Sequence, residues 1–338
     1  MLTWCEYYVK RPSNLARNPY TGRGATDEAP CRITARISAD RGRSWGGRMT
    51  LQDNLSGNNV KQQNLVRCAN GDILMFFTNW DLSTHERSVH FKRSTDDGET
   101  WSKVDQLTPK GGSYVLDAGR IFSHSSGRII LPIYYSPEIW TAQEKYEAFV
   151  YYSDDDGKTW QTSKNRISMP ARGSMEPTMV ERKDGSIFAI LRSGVGYLFE
   201  AESRDRGETW SQAKETILDS PQAEPCLRRI PSTGDLLLIW CHTRPYALSH
   251  DIPTYHRPRN PLSSAISRDE GKTWENIKNI ENREGFDTAY PNVYFNGNEA
   301  IVTFYQASSS ASRDTELLLK IFPIDWFYAP PLGPEKPR

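Results

Sequence analysis

A pattern of eight residues, S-x-D-x-G-x-[ST]-W, occurs five times in the chain, at Ser38 to Trp45, Ser94 to Trp101, Ser153 to Trp160, Ser203 to Trp210 and Ser267 to Trp274. The steps between successive serines are 56, 59, 50 and 64 residues, about the length of one four-stranded antiparallel unit with variable loops. Repetition at such a period means an array of similar supersecondary units, each burying its apolar face on the next. Every residue type in the pattern suits a tight turn between strands. The Asp accepts N–H groups of its own turn, the Gly supplies positive φ, the Ser or Thr hydroxyl closes the loop, and the Trp ring is expected to bury between layers. These aspartates are therefore read as structural. Gly157-Lys158-Thr159 and Gly271-Lys272-Thr273 imitate the end of a phosphate-binding loop, but the glycine required five residues earlier is replaced by Tyr152 and Ile266, so both are read as hairpin turns.

A second pattern, an apolar strand, a Gly-containing turn and another apolar strand, precedes most copies. It occurs at Asn64 to Phe77, Arg120 to Leu131, Thr178 to Ile190 and Cys226 to Ile239, and once more at Asn292 to Phe304 with no copy after it. Short strands at regular spacing with Gly, Asp and Asn turns mean an all-β fold. With the incomplete unit around Leu2 to Trp45, the repeats predict a single six-bladed β-propeller over 1–338, built on Asp-box turns, with 329–338 as a tail. The run Leu2-Thr3-Trp4-Cys5-Glu6-Tyr7-Tyr8 reads as a strand already begun, so blade one is expected to be incomplete, with residues missing upstream.

Bulk properties narrow the function. Lysines and arginines (42) balance aspartates and glutamates (42), which leaves no basic field for nucleic acid. Ten Trp and 16 Tyr suit both a packed core and stacking on sugar rings. The five cysteines include no C-x-x-C pair and are read as reduced, buried small hydrophobes. No apolar run reaches the roughly 20 residues of a membrane span, and Met1 to Arg11 lacks the order of a signal peptide. The chain as given is expected to be soluble, without an export address; its compartment stays open. The six histidines form no H-E-x-x-H or similar ligand set, so neither a metal nor another cofactor is expected.

In a propeller, residues just before each innermost strand converge at one mouth of the channel. Those positions hold Gln62, Asp117, Glu176, Glu224 and Tyr290, either a binding site or scattered, solvated loop residues. The Asp boxes, the blade count and the stretch Met175-Glu176-Pro177-Thr178 through Leu191-Arg192-Ser193 resemble the bacterial sialidases over nearly the whole chain. That resemblance implies Tyr290, in Ala289-Tyr290-Pro291-Asn292, as nucleophile with Glu176 as its partner. It implies Arg192 and Arg259, or else Arg257 and more weakly Arg244, as carboxylate-binding arginines. Asp27, eleven residues before Ser38, matches the family's acid/base, with Glu28 as second choice. Asp117, Glu224 and Gln62 are expected to line the pocket. One departure stands out: the family's first arginine lies in an opening Arg-Ile-Pro-like motif that should precede Leu2, so the chain is either truncated or lacks one limb of the arginine triad. Arg11, Arg17 and Arg23 are possible substitutes, and Arg229-Ile230-Pro231 is read as scaffolding.

Sialic acid carries a carboxylate on its anomeric carbon, which planar guanidinium groups grip and which repels an anionic nucleophile. A neutral phenol activated by a carboxylate fits that substrate. The expected activity is exo-acting release of a terminal sialic or related nonulosonic acid from glycoconjugates, with retention of configuration. The missing arginine keeps open another propeller glycosidase or a lyase acting on uronic-acid polysaccharides. A non-catalytic glycan-binding propeller is the third reading.

Overall fold

Strand β18 (Leu236–Cys241) is buried on both faces, and its side chains alternate between two cores. Leu236, Leu238 and Trp240 pack with Val180, Phe188 and Ile190, whereas Leu237, Ile239 and Cys241 pack with Val302, Phe304 and Phe327. Period-2 alternation with both faces apolar is what makes this run a central strand. The computed structural model describes residues 1–7, 30–55, 58–139, 141, 143–243, 259–308 and 315–330. They form an all-β fold with one short helix, α1 (Asp325–Tyr328).

The chain divides into two compact units. The first comprises Met1–Pro177 and Ser203–Gln212. Its strands form one connected path made of three antiparallel meanders. β1 (Leu2–Tyr7), β2 (Cys31–Arg36) and β3 (Met49–Gln52) make the first. The second runs through β4 (Asn59–Arg67), β5 (Ile73–Trp80), β6 (Arg87–Ser94) and β7 (Asp105–Gln106). β8 (Ser113–Val115) and β9 (Phe122–Ser123) both pair with β10 (Ile129–Ser136), followed by β11 (Glu147–Ser153) and β12 (Gln161–Thr162). Parallel pairs at Cys31↔Asn59 and Arg87↔Ser113 join the meanders.

The second unit, Thr178–Glu202 and Ala213–Arg338, holds most of three separate sheets. They are β13 (Met175–Glu181), β14 (Ile187–Arg192), β15 (Tyr197–Ser203) and β16 (Lys214–Asp219); β17 (Cys226–Arg229), β18, β19 (Leu262–Ser267) and β20 (Glu275–Glu281); and β21 (Phe286–Asn296), β22 (Glu299–Ser308) and β23 (Thr315–Pro323). Among the described residues no helix is long and apolar enough to cross a membrane. Cys5 is half-buried and Cys31, Cys68, Cys226 and Cys241 are buried.

The repeated turns carry the bonds their residue types predict. In one, Ser153 Oγ donates to Asp155 Oδ1 at 2.8 Å and accepts from Gly157 N at 2.8 Å. Asp155 accepts from Thr159 N at 2.9 Å and from Thr159 Oγ1 at 2.6 Å. The same set recurs from Ser38, Ser94, Ser203 and Ser267. The tryptophans depart from expectation: Trp210 is buried, but Trp45, Trp101, Trp160 and Trp274 are only half-buried. Trp160 meets Phe76 with its edge, at 5.5 Å and 86°, so part of the ring stays in water.

Three of the five turns also tie one sheet or meander to another. The residue before the turn glycine is left-handed in every copy: Arg41, Asp97, Asp156, Arg206 and Glu270 have φ of 61, 59, 57, 58 and 64°. In three copies its carbonyl is held by an arginine of another sheet or meander of the same unit. Arg93 Nη2 donates to Asp156 O at 2.7 Å, Arg128 Nη1 to Arg206 O at 3.1 Å and Arg182 Nε to Glu270 O at 2.9 Å. Arg229 is scaffolding of this kind, donating to Glu270 Oε2 and Glu181 O, each at 2.7 Å.

Gly271 sits against the neighbouring sheet at φ 92°, and a Cβ there would lie 2.5 Å from Phe188 Cε1. Gly271→Ala is expected to lose about 2–4 kcal/mol from left-handed strain plus overpacking. Gly185→Ala, at φ 80° with nothing nearby, should lose only about 1–2 kcal/mol. Urea midpoints of the two variants check the difference. The turn carboxylates Asp40, Asp96 and Asp155 are held below their usual range, first of all by the hydroxyls of Ser44, Thr100 and Thr159, Asp96 down to about 2. A lowered folded value stabilises above the unfolded 3.8 and is lost in acid, so the melting temperature should fall between about pH 4 and pH 2.

Candidate functional site

Tyr290 stands on a bulge of β21: Ala289 pairs with Tyr305 and Asn292 with Thr303, so the ladder shifts across Tyr290 and Pro291. Pro291 has no N–H to leave unsatisfied at the irregularity. The backbone of Tyr290 is left-handed, φ 54°, and its side chain is 41% exposed, so the phenol is presented rather than buried. Its ring lies 5.5 Å from that of Tyr305, tilted by 33°, and the Arg259 guanidinium carbon is 5.9 Å from its centroid.

Arg259 is fixed along its whole length. Its N–H donates to Asp287 Oδ1 at 2.9 Å, and its carbonyl accepts from Thr288 N and Oγ1, both at 2.8 Å. Nη1 donates to the Tyr305 hydroxyl and Nη2 to Gln222 O, each at 2.9 Å. Arg192, the last residue of β14, is buried. Burial pushes the Cys241 thiol up to about 12 against the opposing pull of Arg259 and Arg192, so both guanidinium groups act on one buried sulfur. Glu224 lies buried two residues after Gln222.

In the other unit, Gln62, Asp117 and Glu176 form a second group. Gln62 occupies a bulge of β4, between the pairs Lys61↔Thr78 and Asn64↔Phe76. Its Nε2 donates to Asp117 Oδ1 at 2.6 Å. Buried Asn64 clamps the surrounding backbone: Nδ2 donates to Gln62 O and Asp117 O, at 3.1 and 2.8 Å, and Oδ1 accepts from Arg120 N and Ile121 N, at 2.6 and 3.2 Å. Burial drives the Tyr134 phenol well above its ordinary range, with further push from Asp117 and Glu176, so both carboxylates face this one phenol.

Gln62, Glu176 and Tyr290 share a backbone signature, with φ of 61, 46 and 54°. Left-handed non-glycine residues cost about 1–3 kcal/mol and persist where neighbouring structure over-determines them, commonly at functional sites. Within one unit Gln62 bonds to Asp117, and Asp117 and Glu176 both act on the Tyr134 phenol; within the other Arg259 lies against Tyr290 and, with Arg192, acts on the Cys241 thiol, while Glu224 is close in sequence to an anchor of Arg259. Asp27 and Arg257 lie outside the described residues, as do Glu28, Arg244, Arg11, Arg17 and Arg23. Sequence reasoning missed Asn64, Tyr134 and Tyr305. Asn64, buried and polar beside Gln62-Gln63, carried the only signal, since the two tyrosines sit in ordinary strand alternation.

The all-β fold and the repeated S-x-D-x-G turns fit the sialidase class. The BNR repeat-like domain model matches residues 20–302, and the chain belongs to that family, within the sialidase superfamily. A sialidase from Paraclostridium sordellii is 28% identical over 240 residues, covering 62% of this chain and 58% of the relative. An anhydrosialidase from Macrobdella decora is 26% identical over 246 residues, 69% of this chain and 29% of the relative. The matches therefore span less than two thirds of either relative. A protein of unknown function from Dyadobacter fermentans has the same fold, with a TM-score of 0.69 at 18% identity over 91% of this chain and 88% of that one.

Removing the Asn64 clamp should be felt directly. Asn64→Ala leaves buried N–H and C=O groups without their partner, and a loss of about 2–4 kcal/mol is expected in chemical unfolding.

Proposed function

We propose that the chain is an exo-acting glycoside hydrolase of the sialidase type, folded as a single six-bladed β-propeller over 1–338 on Asp-box turns. It releases a terminal sialic or related nonulosonic acid from glycoconjugates and needs no metal or cofactor. The observation that carries this reading is the exposed Tyr290 phenol, on a strained bulge beside Arg259, whose guanidinium is directed by Tyr305 and Gln222. Membership of the family and the sialidase relatives support it.

In this mechanism Arg192 and Arg259 grip the sugar carboxylate with charge-assisted hydrogen bonds. Glu176 takes the phenol proton as the Tyr290 oxygen attacks the anomeric carbon and the glycosidic bond breaks. Asp27 donates a proton to the leaving oxygen. It then removes one from the water that displaces the Tyr290 oxygen, which recovers its proton from Glu176, so two inversions give net retention. Gln62, Asp117 and Glu224 line the pocket, and Arg257 is a second candidate for the carboxylate.

The test is hydrolysis of a fluorogenic α-sialoside, with the first-formed anomer followed by NMR. Turnover with α-product first is expected. Tyr290→Phe should abolish the retaining reaction, and Glu176→Gln should lower kcat by roughly two to four orders of magnitude. Absence of turnover, or a β-product formed first, would refute the proposal.

A further inference from the structure

We propose that Tyr305 is a positioning residue that sets the plane of the Arg259 guanidinium for a ligand carboxylate. This rests on the sialidase reading above. Tyr305 lies on β22 and touches both groups that the chemistry requires. Its hydroxyl accepts from Arg259 Nη1 at 2.9 Å, and its ring packs 5.5 Å from that of Tyr290.

A guanidinium is planar, so acceptors on both terminal nitrogens remove the rotation that would otherwise spoil a bidentate grip. Here those acceptors are the Tyr305 phenol and the Gln222 carbonyl. Both are neutral. A carboxylate in either place would hold the arginine as firmly but add a countercharge of its own, whereas these two neutral acceptors give direction without adding one. The main chain of Arg259 is pinned separately by Asp287 and Thr288. Loss of the phenol hydroxyl therefore removes one of the two restraints on the head of the side chain, leaving Gln222 and the pinned backbone in place, and Tyr305→Phe keeps the ring that packs on Tyr290.

The experiment compares wild type, Tyr305→Phe, Arg259→Ala and the double variant. Each is titrated with the unsaturated sialic acid analogue 2-deoxy-2,3-didehydro-N-acetylneuraminic acid by ligand-observed NMR, which reaches millimolar Kd, and assayed on the α-sialoside. Tyr305→Phe is expected to raise Kd and KM roughly tenfold, the loss of one hydrogen bond to a charged group, with the larger part of the effect in KM rather than kcat. In the Arg259→Ala background the same substitution should change Kd by less than about twofold, because the residue acts through that guanidinium. An unchanged Kd in Tyr305→Phe, or an equal loss in both backgrounds, overturns the proposal. If wild type binds the analogue but does not turn over the sialoside, the hydrolase reading falls while the Kd cycle still decides the role of Tyr305. Failure of wild type to bind overturns both.

Discussion

A main-chain carbonyl turned outward by a left-handed residue and held by an arginine from another sheet or meander is the contact on which the packing of these sheets depends. Apolar burial supplies most of the driving force, since β18 faces a core on each side, but hydrophobic contact is non-directional. The bonds of Arg93, Arg128 and Arg182 to Asp156, Arg206 and Glu270 add direction. They work because the turn itself is rigid: its Asp and Ser spend their acceptors inside the loop, leaving the carbonyl before the glycine to face the neighbour.

The same backbone conformation is used differently within three of the strands, at Gln62, Glu176 and Tyr290, which the sequence pattern sets just before them. In three of the turns the left-handed residue turns a carbonyl to a neighbour; at Gln62 and Tyr290 it accompanies a shift of the strand ladder. The strain is held locally. Asn64 clamps the backbone around Gln62 and Asp117, and Asp287 with Thr288 fixes the main chain of Arg259. Polar side chains with well-separated anchors are what a preorganised site requires, since nothing then has to reorganise when charge develops.

Much of this was legible in the sequence wherever both partners of an interaction fall within a few residues. The turn was fully predictable because Ser, Asp, Gly and Thr bond to one another at separations of two to four residues. The alternating apolar runs announced the strands for the same reason. Half-burial of the tryptophans was not legible, because it is set by how far one sheet overlaps the next. Tyr305 was invisible as a site residue because its partner Arg259 lies 46 residues away, a distance no local pattern encodes, and Asn64 gave only the hint of a polar residue beside Gln62, its bond to Asp117 spanning 53 residues. Tyr290 and Glu176 stood out only through the motifs around them, and the left-handed backbone that sets them apart follows from strand register, not from their own type.

The proline after Tyr290 has a further meaning. A strand that must bulge normally strands an amide, and a stranded amide invites a neighbouring strand or a solvent molecule to compete for the kink. At Pro291 that invitation is withdrawn. The distortion becomes chemically silent, and whatever side chain occupies position 290 inherits an aim it did nothing to create. Such a scaffold can exchange the group it displays while keeping its shape.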